Sequence, residues 1–144
     1  MNQNYNEEFC RLASEAKYAQ QNGDFIRLAQ SHKMMADILH AEGKFEDEVK
    51  SRVLAFYFDL SGISQRIYID GMNTEALALA AGNGGIGEDE VQRIYFDAIR
   101  KDTAPSHPMT VIGSYRLLRL CLRNQWKKAN RIVEKLREMP GFVD

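Results

Sequence analysis

The sequence predicts an all-α fold, antiparallel helical hairpins built from about six to seven helices in one domain over residues 1–144. Three observations predict it. Apolar residues recur every three or four positions along most of the chain, the period of a helix with one buried face. Three prolines, at 105, 108 and 140, leave long stretches free to stay helical. A length of 144 residues, with 27% charged and 44% hydrophobic residues, suits a single core and excludes a disordered chain or a multidomain enzyme.

The first helix is expected over about residues 4–22, where Tyr5, Phe9, Leu12, Ala16 and Ala19 share a face and Asn22-Gly23 supplies a left-handed stop. Asp24 can cap the second, whose stripe runs Phe25, Leu28, Ala29, His32, Met35, Ala36, Leu39 and ends at Gly43. The third begins at Phe45 with Glu46, Asp47 and Glu48 at the positive end of its dipole. Its second half, residues 54–60, is apolar on nearly every side, which predicts a central position. Residues 61–87 read as a loop-rich middle. A loop or short helix is expected over 63–72, a short helix from Asn73 or Thr74 to Ala81, and a flexible connector at Gly82–Gly87. Glu88, Asp89 and Glu90 open the fifth helix, with Val91, Ile94, Tyr95 and Ala98 on its buried side. Pro108 suits the first position of a sixth helix running to about Arg123. Asn124 turns into a seventh that presents Trp126, Ala129, Val133 and Leu136.

Composition narrows the function classes. A net charge of −1 argues against wholesale adhesion to nucleic acid or membrane, and no apolar run approaches the roughly 20 residues that span a bilayer. The opening residues are polar and acidic rather than basic then apolar, so no secretory signal is read and a cytoplasmic location is expected. Cys10 and Cys121 lack CxxC spacing and are expected to be reduced core thiols.

The turns themselves repeat. Gly23-Asp24-Phe25 and Gly43-Lys44-Phe45 place an aromatic two residues after a glycine, and Asn124-Gln125-Trp126 is a third version, with Ala129 three residues beyond the ring. This pattern resembles the tetratricopeptide repeat, over residues about 24–60 and 109–139. The resemblance implies an array of helical hairpins with a concave surface that binds peptides or proteins. The sequence departs from the family in two ways. The two glycine turns lie 20 residues apart rather than one repeat of about 34. Where the family has a small residue, the turn at Gly43 offers Glu48 and the turn at Gly23 offers Leu28.

Candidate chemistry is sparse. Gly82–Gly87 matches GxGxxG literally, but a helix precedes it and three carboxylates follow where phosphates would sit, so a linker is the better reading. His32 and His40 are eight residues apart, about 12 Å along a helix, too far to share an ion. His32 is expected to be a hydrogen-bonded interface residue and His107 to serve a helix start. No catalytic residue, metal site or cofactor is assigned, and the protein is read as not an enzyme.

Charge placement is the most informative feature. Residues 1–107 hold 11 basic and 17 acidic residues, a net of −6, whereas residues 108–144 hold 8 and 3, a net of +5. Arg116, Arg119 and Arg123 fall on one side of the sixth helix; Lys127, Arg131 and Lys135, with Lys128 beside them, form a second stripe on the seventh. These seven residues are the expected partner-binding site. They suit an acidic protein or peptide, including the N-terminal half of another copy in a homo-oligomer. The alternative is a nucleic-acid-associated regulatory protein using the same basic hairpin on phosphates.

Overall fold

The computed structural model describes residues 3–61, 71–102 and 111–138, and these form an all-helical fold. Seven helices occur among the described residues: α1 (Gln3–Gln21), α2 (Phe25–Ala41), α3 (Phe45–Ser61), α4 (Gly71–Asn83), α5 (Glu88–Asp102), α6 (Val111–Leu122) and α7 (Trp126–Arg137). The expected features at 63–70 and around Pro105, His107 and Pro108 lie outside the described residues.

One hydrogen-bond pattern closes α1, α2, α4 and α6. At each end a residue with positive φ donates its N–H three residues back, and the next residue donates five back, which satisfies carbonyls the helix leaves open. Gly43, at φ 68°, donates to the His40 carbonyl (3.1 Å) and Lys44 to that of Leu39 (3.0 Å). Gly23, Gly85 and Asn124 occupy the same place in the other three turns. Asn124 does so at φ 58°, in the conformation that asparagine tolerates best after glycine. At the start of α2, the Asp24 carboxylate accepts the Arg27 N–H at 3.1 Å, the cap expected from sequence. The run Gly82–Gly87 is therefore not a loose connector. Its first two residues finish α4, and Gly85 and Ile86 donate to Gly82 and Ala81 as the closing turn.

α3 is central, as its apolar second half predicts: every residue from Arg52 to Leu60 is buried. It packs against α2, α4 and α5, with a smaller contact to α6. The α3/α4 hairpin stacks on the α5/α6 hairpin through α3 against α5 and α4 against α6; α1 lies on α2, and α7 on α6. Aromatic rings join these layers. Tyr95 meets Tyr57 of α3 edge-on at 6.3 Å and Tyr115 of α6 at 5.6 Å, and its hydroxyl shares a 2.6 Å hydrogen bond with Ser114 Oγ. Burial holds that hydroxyl protonated, well above the ordinary tyrosine range. α4 is clamped at both ends. The Trp126 ring lies over its start, 3.5 Å from where a Cβ on Gly71 would stand, and its far end passes so close to α3 that a Cβ on Gly84 would lie 3.0 Å from Phe45 Cβ.

Two expectations change here. Cys121 is a buried thiol whose pKa burial raises to about 12, but Cys10 lies on the outer side of α1 and is exposed. His32 is on the core stripe and stacks on Phe58 at 5.7 Å, yet its Nδ1 is buried without a hydrogen-bond partner. Burial without compensation favours the neutral ring and lowers its pKa to about 4.

Candidate partner-binding site

The seven basic residues expected to meet a partner are all exposed, on α6 (Arg116, Arg119), the turn after it (Arg123) and α7 (Lys127, Lys128, Arg131, Lys135). Their helices expose them because the opposite faces are committed to the core: Tyr115, Leu117, Leu118 and Cys121 on α6, Ala129 and Val133 on α7. Trp126 is half-buried against that core, as its place in the turn pattern predicts. Arg123 is the one of the seven that makes an ion pair among the described residues. Its Nη2 lies 2.9 Å from both carboxylate oxygens of Glu88, at the start of α5. The arginines Arg11 of α1 and Arg93 of α5 behave differently. Arg11 is held by Glu8 and Glu15, and Arg93 by Glu90 and Asp97, all within one turn of the same helix. Arg11 and Arg93 are thus neutralised locally, while six of the seven cations of the α6–α7 face point to solvent.

Two hollows adjoin along α3. One, of about 350 Å³, lies between α3 and α5 and includes Lys50, Leu54, Arg93, Ile94 and Lys101. The other, of about 340 Å³, lies between α1, α2 and α3 and shares Lys50 and Leu54 with the first. Phe9, Ala16, His32 and Met35 give it an apolar wall, and Lys17 and Gln20 edge it. Together they make a groove of mixed apolar and charged character across four helices. A third, smaller hollow lies beside Arg123, between α4, α5 and the end of α6.

A polar cluster that the sequence reading missed ties α2, α3 and α4 together. Glu48 is fully buried. One carboxylate oxygen is 2.7 Å from Arg52 Nε, and the other is 3.0 Å from His40 Nδ1. Arg52 reaches on to Asp37 (2.9 Å) and to the Asn73 side-chain oxygen (3.4 Å), and Asn73 donates back to the Arg52 carbonyl at 3.1 Å. Each charge has several partners, the condition under which burial is tolerated. The signal was present in sequence. Glu48 and Arg52 are four apart on a helix otherwise apolar at those positions, and Glu48 stands three residues past Phe45, where Leu28 and Ala129 are buried in the other two turns. Lys33 and Asp59 form a further link between α2 and α3 at 2.8 Å, with Asp59 buried.

Among the described residues no group of three or more His, Cys, Asp or Glu side chains is arranged to hold a metal ion, and no helix is long and apolar enough to cross a membrane. No family model, no curated protein and no solved structure matches the chain.

Proposed function

We propose that the protein is a non-catalytic, tetratricopeptide-like binding module, a scaffold or regulatory adaptor, that takes an acidic segment of a protein or peptide on the exposed face of α6 and α7. The observation that carries this reading is the contrast in charge pairing. Six of the seven cations on that face have no carboxylate within ion-pair distance among the described residues, whereas six of the ten basic residues described before residue 108 have one, Arg11 and Arg93 having two each. Exposed cations left without partners attract an acidic surface at long range and orient its approach. The stacked hairpins and the groove along α3 support the array reading. The opposite charges of the two halves favour head-to-tail association of copies, and the two free thiols suit a reducing, cytoplasmic setting.

The test is charge reversal on the face. Arg119→Glu with Arg131→Glu alters two exposed side chains, so helicity by circular dichroism is expected to stay at the wild-type level while capture of the partner from the source cells is lost. Undiminished capture by the folded double variant would remove these residues from the site. The alternative, phosphate contact with nucleic acid, predicts binding that falls steeply with salt and disappears with nuclease.

A further inference from the structure

Of the three hollows described above, the one between α1, α2 and α3 has no carboxylate in its lining; the other two include Glu46 and Asp97, and Glu88. Its volume of about 340 Å³ falls in the range of small-molecule sites, roughly 300–1,000 Å³. All three helices supply its apolar wall, Phe9 and Ala16 from α1, Met35 from α2 and Leu54 from α3. Its charged residues are Lys17 of α1 and Lys50 of α3, both exposed, and Gln20 and Ser51 add neutral polar groups. Neighbouring acids do little to neutralise the two lysines. Glu15 is held by Arg11, and Glu48 is buried against Arg52 and His40. Lys50 Nζ has a loose contact of 3.9 Å with the exposed Asp47, and Lys17 makes no ion pair among the described residues. His32 also lines the hollow, and it ends a stack of rings: Phe25 lies on Phe58 at 6.5 Å and 10°, and Phe58 on His32 at 5.7 Å and 19°. Of these three rings only His32 reaches the hollow. Its Nδ1 is buried without a hydrogen-bond partner, and burial lowers its pKa to about 4, so at neutral pH it presents an uncharged aromatic surface rather than a third cation.

We infer that this hollow binds a small aromatic monocarboxylate, whose ring lies on His32 as the next member of the stack, against Phe9, Met35 and Leu54, and whose carboxylate is held by Lys17 and Lys50. Rings packed at these centroid distances attract one another beyond the area they bury, which favours an aromatic body over a saturated one. Two cations with no acid in the lining favour an anion over a neutral molecule and repel a cation. The site is built from α1, α2 and α3 and shares no residue with the basic face of α6 and α7, so it stands or falls independently of the partner proposed above.

The full-length protein, labelled with ¹⁵N, is titrated with 2-naphthoate, its neutral isostere 2-naphthamide and its saturated counterpart decahydro-2-naphthoate, and followed by amide shifts. The aromatic acid is expected to give saturable shifts at Ala16, His32, Met35 and Leu54, with a Kd of about 0.1–1 mM, the scale for a ligand of this size. The amide, which offers the lysines no charge, should bind about threefold to tenfold more weakly. The saturated acid, which offers His32 no π face, should bind about threefold more weakly. Lys17→Gln with Lys50→Gln changes two exposed side chains, so the spectrum of the free protein should otherwise be retained while the aromatic acid falls to the level of the amide. Arg119→Glu with Arg131→Glu should bind 2-naphthoate as the wild type does. Absence of saturable shifts around the hollow overturns the inference, as do shifts that centre on α6 and α7 and are lost in the Arg119→Glu, Arg131→Glu variant. Equal affinity for the aromatic acid and its amide, or for the aromatic and the saturated acid, overturns it as well.

Discussion

Glu48 shows what a single residue decides in this fold. It occupies a fully buried site three residues into α3, where the turn pattern otherwise asks for a small or apolar side chain, and its charge is stabilised by Arg52 and His40. Removing one member strands the others. Glu48→Ala is expected to destabilise the protein by about 3–5 kcal/mol in urea unfolding, because Arg52 would remain buried beside it. Replacing both members by apolar residues, Glu48→Leu with Arg52→Met, should recover most of that loss. His32 is the opposite case, a partly buried ring whose Nδ1 is itself buried with no hydrogen-bond partner. Its pKa falls from 6.5 to about 4 because burial disfavours the charged form. Below pH 6.5 the unfolded chain therefore binds a proton that the folded one refuses. The His32 contribution to stability is complete above pH 6.5 and declines as the pH falls toward about 4. Stability measured at pH 7 and pH 5 should differ less in His32→Met than in the wild type; an unchanged difference would mean that its surroundings do not hold the ring neutral. The thiols give a simpler check. At pH 8 in native buffer Cys10 should react readily with a thiol reagent, while Cys121, buried and with its pKa raised to about 12, should react only on unfolding.

At the scale of elements, turn chemistry was the most legible part of the sequence. Gly23, Gly43 and Asn124 were read as helix stops, and each holds the positive φ that its turn demands. The amphipathic stripes of α2 and α5 and the all-round apolar second half of α3 likewise located the core. Helix α4 was harder to read. It carries apolar or small residues on all sides, so it has no periodic stripe to mark which face is buried. Its last turn and cap are built from the glycines Gly82, Gly84 and Gly85, which in sequence look like a linker. The tight passage at Gly84 depends on α3, a long-range contact invisible to local pattern. Gly84→Ala, which would place a Cβ 3.0 Å from Phe45 Cβ and 3.3 Å from the Ala80 carbonyl, is therefore expected to lower the melting temperature more than Gly87→Ala, where a Cβ meets nothing within 4 Å. The polar cluster was missed because His40, Glu48 and Asn73 come from three helices whose mutual placement no spacing rule supplies. The basic stripes needed only helical periodicity, and all seven residues are exposed; the pairing of Arg123 with Glu88, 35 residues away, did not follow from it.

Across the whole molecule, charge is segregated while the total stays near zero. A net of −6 over residues 1–107 stands against +5 over 108–144, and the described ion pairs neutralise the first part far more than the second. On the proposed reading this division of charge serves long-range capture of a partner, with an affinity that declines as salt shortens the reach of the field. The same asymmetry predicts self-association at low ionic strength that light scattering should show reversing as salt is added. The most direct test of the central claim, a protein partner held by the basic face, is affinity capture of the tagged protein from its own cells with and without nuclease, followed by mass spectrometry, with the Arg119→Glu, Arg131→Glu variant in parallel. The account predicts a protein partner that survives nuclease with the wild type and is absent with the variant. Capture that vanishes with nuclease, or is the same for both proteins, would contradict it.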